Sequence, residues 1–255
     1  MTELEPALTD VAHHLRSSRR VVVLTGAGMS TDSGIADYRG PQGRWTLNPD
    51  EARLATLQHY LADPEVRRRS WQARLRYPWD AQPNAGHHAL VQLERLGRLD
   101  TLITQNIDGL HQRAGTSPER VIEIHGTVHE VVCWTCTARG PMSDALSRVR
   151  AGDPDPACLQ CGGILKSATI AFGQALVDAD LHRAEIAASS CEVLLALGST
   201  LSVYPIADVL PLAHRNGARI VIINGTPTEM DSLARPFIRA ALGECLPRLI
   251  ELMSD

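Results

Sequence analysis

The sequence has few aromatic residues, a single lysine and no long apolar run. Aromatic residues make up 4% of the 255 residues, so the core must be mainly aliphatic. Lys166 is the only lysine among the 25 basic residues, and all the others are arginines. A helix needs about 20 consecutive apolar residues to span a bilayer, and the sequence contains no such run. These absences exclude a membrane-spanning helix and favour a globular chain.

The chain also lacks an excess of basic charge and a secretory signal. The formal net charge is −4, which gives no electrostatic reason to expect nucleic-acid binding. The N-terminal segment MTELEPALTD is acidic and has no basic segment followed by an apolar one, so we expect no signal peptide and a cytoplasmic location. We expect neither a membrane nor a nucleic acid among its direct partners.

Short apolar segments alternate with helix-like segments along the chain. Strands that alternate with helices indicate βαβ units, and they predict an α/β fold whose mostly parallel sheet is covered by helices on both faces. Gly97 and Gly217 stand where glycines commonly end helices. The predicted strands are residues 21–25, 101–104, 121–124, 192–197 and 219–223, and the predicted helices are residues 87–96, 179–189, 206–216 and 240–252.

Two segments interrupt this alternation. Residues 40–80 are rich in Arg, Trp and Pro, and show helical pieces without a clear strand. Residues 131–164 hold four of the six cysteines, with Pro, Gly and Asp between them. We interpret both segments as insertions on one α/β scaffold.

The four cysteines of the second insertion have the spacing of a metal site. Cys133, Cys136, Cys158 and Cys161 form the pattern Cys-x2-Cys-x21-Cys-x2-Cys. Two such turns can direct four thiolates at one Zn²⁺, and four protein ligands leave no open position, so a structural zinc site is predicted. Two redox pairs are the alternative. Three Asp and three Arg lie between the pairs, which gives no basic stripe for a nucleic acid.

Small polar turns follow three of the predicted strands. Gly26-Ala27-Gly28 follows the first strand, Gly198-Ser199-Thr200 a later one, and Asn224-Gly225-Thr226 the last. In an open α/β sheet, ligands bind beyond the carboxyl ends of strands, where glycines let a backbone approach a pyrophosphate. The third glycine of the usual dinucleotide fingerprint is not at its place, so a turn without a ligand is the alternative.

A polar cluster follows two further strands. Gln105, Asn106 and Asp108 come after one strand, and His125 comes after the next and before a glycine. The carboxyl ends of these strands meet at the same edge, where an imidazole can transfer protons near neutral pH. Seven of the 10 histidines are interpreted as packed or surface residues: His13, His14, His59, His87, His88, His182 and His214.

These segments resemble, in order, the signature motifs of the sirtuins, the NAD-dependent protein deacylases. Residues 26–40 (GAGMSTDSGIADYRG) are similar to the family's cofactor loop, and residues 105–108 (QNID) with the following GLHQRAG resemble its second signature. His125-Gly126 is similar to its catalytic His-Gly, and the cysteine pairs and residues 165–174 (LKSATIAFGQ) follow in the family's order. The resemblance covers about residues 10–250.

The resemblance implies one catalytic domain over residues 1–255 with two parts. The larger would be a Rossmann-like parallel sheet with helices on both faces, built from about residues 10–39, 81–130 and 165–255. The smaller would combine a helical module, about residues 40–80, with a zinc-binding module, about residues 131–164. NAD would lie between the two parts.

The resemblance also implies a role for particular residues. His125 would be the catalytic base and Asn106 would assist at the nicotinamide ribose. Residues 170–174 would pair with a substrate peptide as an added strand, chiefly through Ile170, Phe172, Gly173 and Gln174. The implied NAD contacts are Gly26, Ala27, Gly28, Ser30, Asp37, Tyr38, Arg39, Gln105, Asn106, Ile107, Asp108, Gly198, Ser199, Thr200, Asn224 and Leu242.

The implied reaction removes an acyl group from a protein or peptide lysine. Its products would be nicotinamide, O-acyl-ADP-ribose and free lysine. A different NAD-consuming reaction on the same scaffold, glycohydrolysis or ADP-ribosyl transfer, is one alternative, and a non-catalytic zinc-bearing module is another.

The sequence specifies the acyl group less closely than it specifies the reaction. Family members that remove succinyl groups carry Tyr-x-x-Arg in the helical insertion, where the arginine pairs with the distal carboxylate. Here Trp71 and Arg74 have that spacing, with Trp in place of Tyr. We expect acetyl, with Trp71 packed and Arg74 solvated, and keep succinyl as the alternative.

Overall fold

A computed structural model describes residues 4–40 and 43–254 of the chain. The strands are β1 (Val21–Thr25), β2 (Leu99–Thr104), β3 (Val121–Glu123), β4 (Gly126–Cys133), β5 (Arg139–Pro141), β6 (Leu165–Thr169), β7 (Val193–Leu197), β8 (Arg219–Ile223) and β9 (Phe237–Ile238). The helices are α1 (Leu4–Ser17), α2 (Arg44–Leu47), α3 (Leu57–Ala62), α4 (Pro64–Leu75), α5 (Ala85–Arg95), α6 (Leu110–Ala114), α7 (Met142–Arg150), α8 (Asp178–Ser190), α9 (Val209–Arg215) and α10 (Leu242–Ser254). In these ranges no helix has the length and apolar character of a membrane span.

The larger sheet has six parallel strands in the order β3-β2-β1-β7-β8-β9. Numbered within this sheet, the order is 3-2-1-4-5-6, the dinucleotide-binding arrangement. The order reverses between β1 and β7, so the turns after these two strands face each other at the sheet's carboxyl edge. The five predicted strands are confirmed, with ends shifted by at most a few residues, whereas β9 was not predicted.

Both faces of this sheet are covered by helices. Along β1, Val21 and Val23 belong to a core cluster that includes residues of α1, α5 and α10. Val22 and Leu24 point the other way, into a cluster with residues of α8 and α9. Successive side chains of a strand alternate between faces, so a continuous apolar run such as β1 requires burial on both sides. The predicted fold class is confirmed.

The predicted helices form, and local signals explain their ends. Asn84 caps α5, because its side chain accepts hydrogen bonds from the N–H groups of Gly86 (3.0 Å) and His87 (3.3 Å). Gly97 and Gly217 have φ values of 68° and 88°, a left-handed conformation that glycine adopts without strain. Both glycines end helices as predicted.

A second, three-stranded antiparallel sheet has the order β5-β4-β6. Its core joins the two insertions, because Trp71 of α4 is buried in one cluster with Val131, Cys133 and Leu146. The sequence pattern did not predict this sheet. β4 extends across the expected boundary at residues 130–131, and β6 follows the second insertion. The division of the chain into two domains with those boundaries stays a prediction.

Candidate active site

The carboxyl ends of β1, β2, β7 and β8 border a cavity of about 720 Å³. This volume lies within the range of small-molecule sites. Most of the residues predicted to bind cofactor or peptide, together with the predicted base, line it. They are Gly26, Ala27, Gly28, Asp37, Tyr38, Arg39, Gln105, Asn106, Ile107, His125, Ile170, Phe172, Gly173, Gln174, Gly198, Ser199, Thr200, Asn224 and Leu242.

A second cavity of about 360 Å³ adjoins the first. It is lined by the two remaining predicted cofactor residues, Ser30 and Asp108, and it shares Gln105, Asn106 and Ile107 with the larger cavity. The structure therefore brings all the predicted cofactor, catalytic and peptide residues to one connected region.

The glycines after β1 allow two turns to touch. Gly28 N donates to Gly198 O at 2.9 Å, and Gly26 N donates to Leu197 O at 2.9 Å. A Cβ on Gly28 would lie 2.9 Å from Gly198 Cα, and one on Gly26 would lie 2.7 Å from Gly198 O. These glycines therefore serve the contact between the turns after β1 and β7, a contact that the sequence did not indicate.

Asn106 and Asp108 are held in a buried network. Asn106, 8% exposed, donates through Nδ2 to Gly26 O (3.0 Å) and Ser30 Oγ (3.1 Å). Ser30 Oγ donates to Asp108 Oδ2 at 2.7 Å, and Leu110 N donates to Asp108 Oδ1 at 2.9 Å. Both side chains are thus fixed before any ligand binds, which reduces the cost of ordering them.

Gln105 links two parts of the cavity wall. Its Nε2 donates to Ser199 Oγ at 2.9 Å, across the switch point of the sheet. The main-chain carbonyl oxygen of Gln105 lies 3.1 Å from Nδ1 of His125. A carbonyl oxygen only accepts, so Nδ1 carries the proton and Nε2 of the neutral ring is left as the basic nitrogen.

The environment of His125 favours the neutral imidazole. Burial lowers its pKa from the usual 6.5, the hydrogen bond to the Gln105 carbonyl raises it, and the nearby Arg39 charge lowers it further. Burial is the largest of these effects. At neutral pH His125 is therefore unprotonated at Nε2 and can accept a proton.

Aromatic and cationic side chains cover one side of the larger cavity. The Tyr38 and Trp45 rings are 4.7 Å apart between centroids, and the Trp45 and Phe172 rings are 5.2 Å apart. The Arg39 guanidinium lies 5.1 Å from the Trp45 centroid, a cation–π distance. Trp45 therefore packs between Tyr38 and Arg39, which follow β1, and Phe172. The sequence did not indicate this contact.

The segment predicted to pair with a peptide is already hydrogen-bonded on one edge. Phe172 N donates to Ala55 O at 2.8 Å, and Leu57 N donates to Phe172 O at 2.9 Å. Ala171 N donates to the Gln174 side chain at 3.2 Å. Gln174 N also donates to Ala171 O at 2.9 Å, so residues 171–174 form a turn that an added strand would have to open.

Two cations lie in the cavity near the helical insertion. Lys166, 4% exposed, donates through Nζ to Ser167 O (2.8 Å) and Thr169 O (2.7 Å), and burial lowers its pKa to about 8. An Arg74 guanidinium nitrogen lies 3.5 Å from Thr169 Oγ1, and burial also lowers the pKa of Arg74. In the part of the chain that the structure describes, neither pairs with a carboxylate. The sequence singled out Lys166 only as a solitary lysine and gave no signal for its position.

The four paired cysteines meet at one point. Their sulfur atoms all lie within 4.8 Å of one another, with Cys133 and Cys161 at 3.5 Å and Cys136 and Cys158 at 3.7 Å. A tetrahedral Zn²⁺ with Zn–S bonds of about 2.3 Å places its sulfurs about 3.8 Å apart, whereas a disulfide needs about 2.05 Å. The N–H groups of Cys136 and Thr135 lower the pKa of the Cys133 thiol to about 6. All four cysteines are free, and the cluster is consistent with zinc, as predicted.

The fold and the site together define a dinucleotide-dependent α/β enzyme that carries a separate four-cysteine module. A sequence model of the Sir2 family matches residues 26–205. NAD-dependent protein deacetylase 2 of Streptomyces coelicolor is 48% identical over 231 residues, which cover 90% of this chain and 96% of that protein. The chain belongs to the Sir2 family, and it is an NAD-dependent protein deacylase.

Further comparisons agree with this assignment. NAD-dependent protein deacylase 2 of Pyrobaculum aerophilum is 39% identical over 243 residues, covering 95% of this chain and 94% of that protein. A solved structure of Sir2 with a p53 peptide and NAD⁺ has a TM-score of 0.85 and 33% identity, and covers 95% of this chain and 96% of that one. The family resemblance found in the sequence is confirmed.

Proposed function

We propose that the chain removes acetyl groups from protein lysines with His125 as the general base. The observation that carries this proposal is the hydrogen bond between His125 Nδ1 and the Gln105 carbonyl, because it leaves Nε2 as the basic nitrogen in a cavity lined by Asn106. When bound, NAD supplies the ADP-ribose that accepts the acyl group as nicotinamide leaves.

The chain's own residues prepare this transfer. Asn106 and Asp108, fixed by Ser30, are the polar groups proposed to hold the nicotinamide ribose and the carboxamide. His125 accepts the proton of a ribose hydroxyl at Nε2. The ring tautomer required for that step is the one that the Gln105 carbonyl selects.

The remaining cofactor and peptide residues are assigned by their place in the cavity. We assign the pyrophosphate and the covering loop to Gly26, Ala27, Gly28, Asp37, Tyr38 and Arg39, and the adenosine end to Gly198, Ser199, Thr200, Asn224 and Leu242. The acyl-lysine peptide of a protein substrate is proposed to pair with residues 170–174, displacing the main-chain and side-chain contacts of Gln174 with Ala171. Ile170 and Phe172 line the cavity beside this segment.

Zinc is proposed as a structural ion. It would join β4, through Cys133, to the turn that carries Cys158 and Cys161, so it would hold the three-stranded sheet. Four thiolate ligands leave no coordination position for a substrate.

A specific observation favours a second acyl group, one with a distal carboxylate. Arg74 and Lys166 line the cavity without carboxylate partners among the described residues, and Trp71 Nε1 is a buried donor without a partner there. Buried charges are normally paired, and a carboxylate at the end of a succinyl chain would pair them. Trp71 is packed in the core, as expected, but Arg74 is not simply solvated.

One experiment decides between the two acyl groups. Matched acetyl-lysine and succinyl-lysine peptides are compared with wild type, Arg74→Met and Arg69→Met. Arg69 is an exposed arginine of the same helix and serves as the control. Acetyl preference predicts that all three enzymes turn over the acetyl peptide at similar kcat/KM and the succinyl peptide slowly. A succinyl kcat/KM above the acetyl value in wild type, lost selectively in Arg74→Met, would replace acetyl by succinyl.

The same assay tests the other reaction classes. Nicotinamide release from NAD without a peptide would indicate glycohydrolysis, and label transfer from NAD to a protein would indicate ADP-ribosyl transfer. We expect nicotinamide release to depend on the acyl peptide. The cytoplasmic location stays a prediction from the sequence.

A further inference from the structure

His87 and His111 form a buried pair that lines neither cavity. His87 is 0% exposed and His111 1% exposed, and their ring centroids are 4.8 Å apart. Burial lowers the pKa of His87 to about 4 and that of His111 well below 6.5, and the neighbouring ring lowers the latter further. Both rings are therefore neutral at pH 7, so each carries one proton whose position the contacts decide.

A chain of hydrogen bonds joins His111 to the candidate active site. His111 Nε2 lies 3.1 Å from Thr25 Oγ1, the last residue of β1. Thr25 Oγ1 donates to Thr104 Oγ1 at 2.8 Å, at the end of the neighbouring strand β2. Thr104 Oγ1 in turn accepts the main-chain N–H of Asn106 at 3.1 Å.

This chain fixes the tautomer of His111. A hydroxyl has one proton, and that of Thr25 is given to Thr104. The hydrogen bond between Thr25 and His111 therefore requires a proton on Nε2 of the imidazole. His111 Nδ1 is buried and has no hydrogen-bond partner within residues 4–40 and 43–254, so the contact with Thr25 is the polar contact that orients the ring.

We propose that His111 is a positioning residue for deacylation, acting through Thr25 and Thr104 on the main chain of Asn106. The proposal rests on the function proposed above, because it takes Asn106 as the group that holds the nicotinamide ribose. Neutral His111, as the Nε2–H tautomer, holds the Thr25 hydroxyl toward Thr104, and Thr104 then holds the Asn106 amide. Asn106 Nδ2 is thereby aimed at Gly26 O and Ser30 Oγ.

The tautomer is measured without any substrate. The ¹⁵N shifts of selectively labelled wild-type protein are recorded at pH 7.5, and the His111 signals are identified by their loss in His111→Gln. We expect Nε2 protonated and Nδ1 unprotonated. A proton on Nδ1 alone, or an imidazolium, would overturn the proposal whether or not the protein proves to be a deacylase.

Two amide substitutions separate positioning from ring packing. The amide nitrogen of Gln can occupy the place of His Nε2, whereas that of Asn reaches only the place of Nδ1. We expect His111→Asn and Thr25→Val to lower kcat for peptide deacylation about tenfold with peptide KM changed less than about twofold, and His111→Gln to retain most of kcat. Because both losses break one hydrogen-bond chain, the double variant should lose little more than either single variant.

Controls and a second readout complete the test. His88→Gln, on the exposed side of α5, should leave kcat unchanged. Hydrogen exchange of the Asn106 amide should quicken in His111→Asn and Thr25→Val and stay slow in His111→Gln. Equal losses of kcat in His111→Gln and His111→Asn would mean that only the ring's shape matters. Unchanged kcat and unchanged hydrogen exchange in His111→Asn would mean that the hydrogen bonds running from His111 through Thr25 and Thr104 do not position Asn106. Either result would reject the proposal.

Discussion

The carbonyl oxygen of Gln105 lies 3.1 Å from Nδ1 of His125 and so selects the neutral tautomer whose Nε2 is basic. The two residues come from different parts of the sequence, one after β2 and the other after β3. Because these strands are neighbours in the parallel sheet, the segments beyond their carboxyl ends lie side by side. A backbone group thus determines the tautomer of the proposed base, and side-chain substitution at Gln105 leaves that group in place.

The pH dependence of turnover should report the lowered pKa of His125. The general base works only when unprotonated, and its pKa is lowered from 6.5. We therefore expect kcat/KM to be level near pH 7 and to fall tenfold per pH unit only below an apparent pKa that is under 6.5. The measurement is a kcat/KM profile in buffers of constant ionic strength.

His125→Ala supplies the control for that profile. It should abolish deacylation while leaving NAD binding and the thermal unfolding midpoint close to those of wild type. Normal turnover by this variant would contradict the assignment of His125 as the base.

Acid should destabilise the fold through the buried His87. In the unfolded chain its pKa is 6.5, and in the folded protein it is about 4. Between these values the unfolded chain binds more protons, so stability is full above pH 6.5 and is lost as pH falls toward 4. The loss from this residue amounts to about 3 kcal/mol at pH 4, at 1.36 kcal/mol per pH unit.

Denaturant unfolding at several pH values measures this effect. His87→Gln should be less stable than wild type at pH 7.5, since it replaces a fully buried ring whose Nδ1 accepts a hydrogen bond from Asn84 N at 3.3 Å, but should show a shallower loss between pH 6.5 and 4. An equally steep loss in His87→Gln would assign the acid sensitivity to other groups.

Metal removal should unfold the three-stranded sheet before the six-stranded one. Cys158→Ser removes one of the four sulfurs that lie within 4.8 Å of one another. We expect about one zinc per chain in wild type and loss of zinc with a lowered unfolding midpoint in Cys158→Ser. Cys191→Ala, outside the cluster, should keep the zinc. Full zinc content in Cys158→Ser, measured by atomic absorption, would contradict the four-cysteine site.

A Cβ at residue 28 should separate the turns after β1 and β7. In Gly28→Ala the new atom would lie 2.9 Å from Gly198 Cα, a backbone atom that cannot move alone. We expect a loss of about 1–3 kcal/mol in the free energy of unfolding, as overpacking costs, together with weaker NAD binding. Gly225→Ala is the control for stability, because a Cβ there meets nothing within 4 Å. Equal stability of the two variants would show that the turns do not need this contact.

The sequence alone determined the α/β class, five strands of the large sheet, and the four cysteines of the predicted zinc site. An apolar run such as Val21–Thr25 is buried on both faces, so it can be predicted as a strand without knowledge of the strands it pairs with. The Cys-x2-Cys spacing is likewise a local feature of the sequence. The family motifs likewise identified the residues that the cavity brings together. These signals are contained in short segments, where composition and spacing are sufficient.

Only the tertiary structure decided which groups act on one another. The sheet of β4, β5 and β6 depends on pairing across the second insertion, and no alternation within β4 indicates its partner. The positions of Lys166 beside Arg74 and of His111 beside Thr25 arise because distant segments meet at the cavity and at the sheet edge. Burial and hydrogen-bond partners set the proton on His125, and those exist only in the folded chain.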